Sequence, residues 1–182
     1  MHRSTLLIVP MVLMSACADM NGMGGRDAAS SSSASMQDPA AASVSATTYV
    51  TMAGASDRYE IESSQRQQAA GSSAAVKAFA AMMIAHHSKT TAELRAAATQ
   101  AGMTPPPPQL QPKQADMIAQ LRGAQGAALD QIYLTQQRQA HQEALALHQG
   151  YANNGDQPAL RQVAAKAVPI IESHIRQLQS LS

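Results

Sequence analysis

The chain has 182 residues, with 13 Lys plus Arg against 12 Asp plus Glu and a single cysteine. So even a charge balance leaves no electrostatic footprint for nucleic acid, and a lone cysteine has no intrachain disulfide partner. β-Branched and aromatic residues are scarce beyond residue 48, where Ala, Gln, Arg, Leu and Met dominate, a composition that favours helix over strand.

The chain opens with "MHRSTLLIVPMVLMSAC". A basic start at Arg3, an apolar run from Leu6 to Met14 and small residues before Cys17 have the anatomy of a secretory signal. That run is too short for a permanent membrane-spanning helix. "LMSAC" resembles a bacterial lipobox, with Met14 where Leu is commoner. The resemblance implies a signal peptide over residues 1–16 and lipidation of Cys17, and Ala18 after it points to the outer membrane. Lipid chains anchor through the burial of their methylenes. The alternative is an ordinary signal cleaved elsewhere, leaving a free thiol. Residues 17–48 are rich in Ser, Ala, Gly and Met. They cannot bury enough surface to offset their ordering entropy and read as a flexible linker. Residues 49–182 then form one domain.

Three breaks divide that domain into four predicted helices, over 48–70, 73–101, 113–153 and 156–180. Gly71 ends the first, and Ser72 or Ser73 caps the second. Four consecutive prolines, Pro105 to Pro108, lack donors and force an extended path. Asn154-Gly155 stops the third helix, with Asp156 as the next cap and Pro158 in the following first turn. Gly123 and Gly126 are positions at which the long third helix can break or bend. Pro169 falls inside the fourth. Short connections make the first and second, and the third and fourth, antiparallel neighbours. The expected fold is an all-α four-helix bundle.

Histidines interrupt the apolar stripes. His87 shares a helical face with Val76, Ala80, Met83, Thr91 and Leu94, and so leans inward, whereas His86 lies on a mixed flank. His174 lies with Ile171, Leu178 and Leu181, and His141 with Leu134, Leu145 and His148. In the first helix Glu60 supplies a carboxylate. Neutral imidazole and carboxylate are ligands for Zn, Cu, Fe or Mn, and bundle cores collect such ligands from facing helices. An inward Glu needs a cation or donors. The plainer reading of each histidine is a hydrogen-bonded core residue. Glu-x-x-His, the mark of di-iron carboxylate bundles, does not occur, and the domain has neither a cysteine nor a serine motif for nucleophilic catalysis.

"VKAFAAMMIAHHSKTTAELRAAATQAGM", "LRGAQGAALDQIYLTQQRQAHQEALALHQGYANNGD" and "LRQVAAKAVPIIESHIRQL" are similar to the bacterial family called domain of unknown function 4142. Its members are described as predicted outer membrane proteins with a ferritin-like helical bundle. The resemblance implies site positions at Glu60, His87, Asp130, Tyr133, His141 and His174. His86 departs from it, standing where the family usually has Asp, and Leu129 stands where it has Phe. "MMIAHH" is also similar to the Met-Ile-x-His-His signature of another family of unknown function, linked to metal handling.

The expectation is therefore an outer-membrane-tethered periplasmic bundle, a binding protein before an enzyme. Glu60, His87, His141 and His174 are its candidate ligands for one transition-metal ion, Cu, Zn or Fe. His86, Asp130 and Tyr133 are expected to support them. The rival reading is a metal-free structural or interaction module of the cell envelope, and a weaker third is a redox enzyme of ferritin-like ancestry.

Overall fold

The computed structural model describes residues 44–181, so the signal peptide expected over 1–16, Cys17 and nearly all of the expected linker lie outside the described residues. Among the described residues the fold is all-α, with five helices and no strand: α1 (Ala46–Ala70), α2 (Ala74–Gln100), α3 (Pro112–Arg122), α4 (Gly126–Asn154) and α5 (Pro158–Ser180).

Local signals set most of these limits. The Ser45 hydroxyl accepts from Thr48 N and caps α1, and the Ser73 hydroxyl accepts from Val76 N and caps α2. Helix α1 therefore starts two residues before the expected Thr48, and Ala46 is already buried. Gly71 ends α1 in ordinary extended backbone (φ −72°), so its glycine is required by space and not by dihedral. A Cβ there would collide with Gln67 and Asp130. Helix α2 closes at Gly102 in the left-handed region (φ 75°), where glycine carries no steric penalty.

The third predicted segment is two helices. Gly123 caps the C-terminus of α3, and Gly126, the first residue of α4, turns the chain at φ 58°. At the α4–α5 corner Gln157, and not Asp156, is the N-cap; Asp156 instead accepts a hydrogen bond from Tyr151 Oη at 2.8 Å. Pro169 sits inside α5, on its exposed side, and the helix runs through it.

Helix α1 packs most extensively on α2, and α4 on α5; α1–α4 and α2–α5 contacts close the bundle, while α3 lies against α1 and α4. The four prolines strap α2 to α3, with Arg58 Nη1 donating to Pro108 O at 2.8 Å.

Two larger apolar clusters fill the interior, and a small third one, Ala144, Ala167 and Ile171, joins α4 to α5. One contains Phe79, Met83, Leu121, Leu129, Tyr133 and Leu178. The other contains Tyr49, Val50, Leu94, Ala98, Tyr151 and Leu160. Followed along any of the four long helices, the stripe passes from one cluster to the other through a polar residue: Asp57 and Glu60 on α1, His87 on α2, His141 on α4, His174 on α5. The bundle therefore has a polar layer at mid-height. No helix among the described residues is long and apolar enough to cross a membrane.

Candidate metal centre

Burying a polar layer between two apolar clusters costs free energy unless its groups find partners. Most of them do. Glu60, His141 and His174 are each 1% exposed, and His87 is 7% exposed. One ring nitrogen from each of His87, His141 and His174 lies within 4.8 Å of the other two.

Partners fix which nitrogen each histidine offers. His87 Nδ1 lies 2.8 Å from Asp57 Oδ1 and donates to it, which leaves Nε2 with the lone pair. That Nε2 is buried and has no hydrogen-bond partner. His141 Nδ1 donates to Gln137 O at 2.9 Å, so its Nε2 is likewise an acceptor. His141 Nε2 lies 3.2 Å from His174 Nδ1. Two imidazole nitrogens on one tetrahedral zinc at about 2.0–2.1 Å stand about 3.3 Å apart, so this pair is spaced for a common ion. On its other side His174 Nε2 lies 2.8 Å from His86 Nδ1. Each of the three buried rings thus has its second nitrogen engaged by a carboxylate, a carbonyl or another imidazole, the support that metal-ligating histidines usually carry.

The carboxylates set the charge of the layer. Asp57 accepts from His87 and from the hydroxyls of Thr90 (2.9 Å) and Thr91 (3.0 Å). Glu60 Oε2 accepts from Gln137 Nε2 at 2.6 Å, and its Oε1 lies 3.7 Å from His141 Nδ1. Among the described residues no Lys or Arg pairs with either carboxylate. Burial opposes charging His87, but the hydrogen bond and charge of Asp57, with Glu60 behind them, raise it above the ordinary histidine value. Burial holds His141 below that value against the pull of Glu60. His174 is pushed down to about 3 by burial and by the three neighbouring histidines. Asp57 and Glu60 thus bring two buried carboxyl groups into the layer with no Lys or Arg beside them. A divalent cation on the three imidazoles would set positive charge beside both carboxyl groups.

The sequence-predicted residues do not all meet here. Glu60 is in the layer but approaches His141 from the nitrogen already given to Gln137 O. It balances charge and is not one of the three converging ligands. His86 is exposed and touches the cluster only through His174. Asp130 is not a supporting residue of the site. Its carboxylate accepts from Ser72 N, Ser72 Oγ, Ser73 N and Gln67 Nε2, and so holds the α1–α2 turn. Tyr133 is one layer removed: its hydroxyl meets Ser64 Oγ at 2.8 Å, and its ring packs edge-on against Phe79, which in turn contacts His141 and His174.

Sequence reasoning missed Asp57, Gln137 and His148. Asp57 lies one turn before Glu60 on the same helical face, a signal that was readable. Gln137 precedes His141 by one turn, and nothing marks it apart from the many other glutamines of α4. His148 accepts from Tyr49 Oη at 2.9 Å through Nδ1, and it lines a cavity of about 20 Å3 together with Asp57, His86, His87 and His174. Such a volume admits one water or one ion.

No curated protein matches this chain. A solved structure, the crystal structure of a DUF305 fragment from Deinococcus radiodurans, is similar with a TM-score of 0.64 and 15% sequence identity, covering 74% of this chain and 93% of that chain. At that identity the likeness shows the fold alone. The family DUF4142 matches residues 31–181, well over half of the sequence. The chain therefore belongs to the DUF4142 family, a domain of unknown function.

Proposed function

We propose that this protein is a lipid-anchored, periplasmic, ferritin-like four-helix bundle that binds one transition-metal ion through His87 Nε2, His141 Nε2 and His174 Nδ1. The observation that carries this reading is the buried, unpartnered Nε2 of His87 beside two further imidazoles. An apolar core does not ordinarily leave such an acceptor orphaned. Three nitrogen ligands favour copper and zinc, with iron next. The outer-membrane location rests on the "LMSAC" stretch ending at Cys17. Binding is proposed because the three converging imidazoles lie buried in the bundle interior.

One observation favours the metal-free module. Hydrogen bonds from His86 to His174, His174 to His141 and His141 to Gln137 O form a continuous chain that satisfies those rings without an ion. Melting of protein purified without a His tag separates the readings. A bound ion stabilises by mass action, about 2.7 kcal/mol at a hundredfold excess over Kd. Zn(II) or Cu(II) should raise the wild-type melting temperature and leave His87→Ala unmoved. A wild-type curve indifferent to Zn, Cu and Fe at neutral pH would establish the metal-free module.

A further inference from the structure

We infer that His86 and the outward nitrogen of His174 form a transient outer site through which metal enters and leaves the buried triad, an inference that rests on the metal-binding reading above. His86 is exposed, whereas His87, His141 and His174 are buried. Of the histidines touching the cluster, His86 alone therefore presents a ring to water while reaching a proposed ligand.

His174 faces both ways. Its Nδ1 lies 3.2 Å from His141 Nε2, inside, and its Nε2 lies 2.8 Å from His86 Nδ1, outside. The His86 and His174 rings lie 16° from parallel with centroids 5.1 Å apart, so the two nitrogens meet end on in a hydrogen bond that an incoming ion must open before it uses either lone pair. His86 and His174 also line the small cavity of about 20 Å3, together with Asp57 and His87. An ion held first by His86 and His174 would thus shed part of its hydration shell before passing inward. His87 and Asp57 would then replace lost water with a ligand and a countercharge. Without the outer pair, the ion would have to be stripped of water in one step or wait for the helices to part.

A port lowers the barrier in both directions and leaves the end states alone. Zn(II) binding and release by tag-free protein, followed by stopped flow with a chromophoric chelator, reads this directly. The His86→Asn side chain keeps a hydrogen-bond partner for His174 Nε2, its amide oxygen accepting when that nitrogen carries the proton, but is a poor ligand. It should slow loading and unloading by about tenfold each, equivalent to about 1.4 kcal/mol of barrier, with Kd unchanged. His86→Asp restores a ligand and should recover most of the rate. Wild-type rates in His86→Asn would overturn the port. So would faster release with unchanged loading, which would make His86 a permanent ligand. If wild-type protein binds neither Zn(II) nor Cu(II), the port and the metal-binding reading fall together; if it binds and only the rates disagree, the port alone falls.

Discussion

Mild acid should destabilise the metal-free protein, and His148 should account for a definable share of the loss. His148 is buried, packs edge-on to Tyr49 with centroids 5.6 Å apart and accepts that residue's hydroxyl through Nδ1. Burial, only partly opposed by Asp57, pushes it down to about 4. In the unfolded chain a histidine takes up its proton near 6.5. Between those two values the unfolded state binds a proton that the folded state refuses, so stability falls as pH falls through this window and levels off below it. From pH 7 to pH 5 the loss is about 2 kcal/mol for this one group, or roughly 5–10 °C in melting temperature for a domain of this size. His174, held lower still, works in the same direction. His87 works against both, because its raised value contributes stability that is fully present below 6.5. The informative quantity is therefore the difference in pH slope between wild type and His148→Gln, whose carbonyl can still accept from Tyr49. Thermal melts in EDTA at pH 7, 6 and 5 should show the variant losing about 2 kcal/mol less than wild type. Equal losses would refute the assignment of a neutral, desolvated His148.

Three further outcomes follow from other parts of the chain. Asp130→Ala removes the acceptor shared by Ser72 N, Ser73 N and Gln67 Nε2, and should cost about 2–3 kcal/mol in denaturant unfolding without changing metal affinity; a loss of metal binding at full stability would return Asp130 to the site. Pro169→Ala restores the donor missing inside α5, and should raise stability by about 1–3 kcal/mol; no gain would mean that the helix has already absorbed the defect. Cys17→Ser should abolish lipid labelling and release the protein from membranes; a variant that stays with the outer membrane through a high-salt wash would contradict the lipobox reading.

The helices were legible in the sequence because their punctuation is local. The proline run forbids a helix whatever surrounds it, and Gly71 and Asn154-Gly155 stand next to the serine cap and the first-turn proline of the helices that follow. The division of α3 from α4 was less legible, since Gly123 and Gly126 bend or break a helix according to what packs on either side. The inward lean of His87, His141 and His174 followed from periodicity. What periodicity cannot supply is register between helices: Asp130 and His141 share a face of α4 eleven residues apart. Over that distance the bundle moves from the α1–α2 turn to the polar layer, so the first became a turn anchor and the second a site residue. Which carboxylate meets which histidine is likewise a matter of height. Asp57, one turn from Glu60, took His87, and Glu60 was left to Gln137 and the back of His141.

The central claim concerns three imidazoles on one ion, and X-ray absorption at the zinc edge of the Zn(II)-loaded, tag-free protein examines it most directly. The geometry predicts three nitrogen donors at about 2.0–2.1 Å with the multiple-scattering signature of imidazole, falling to two in His141→Ala. A spectrum of oxygen donors alone, or three imidazoles persisting in His141→Ala, would place the ion elsewhere and contradict the site.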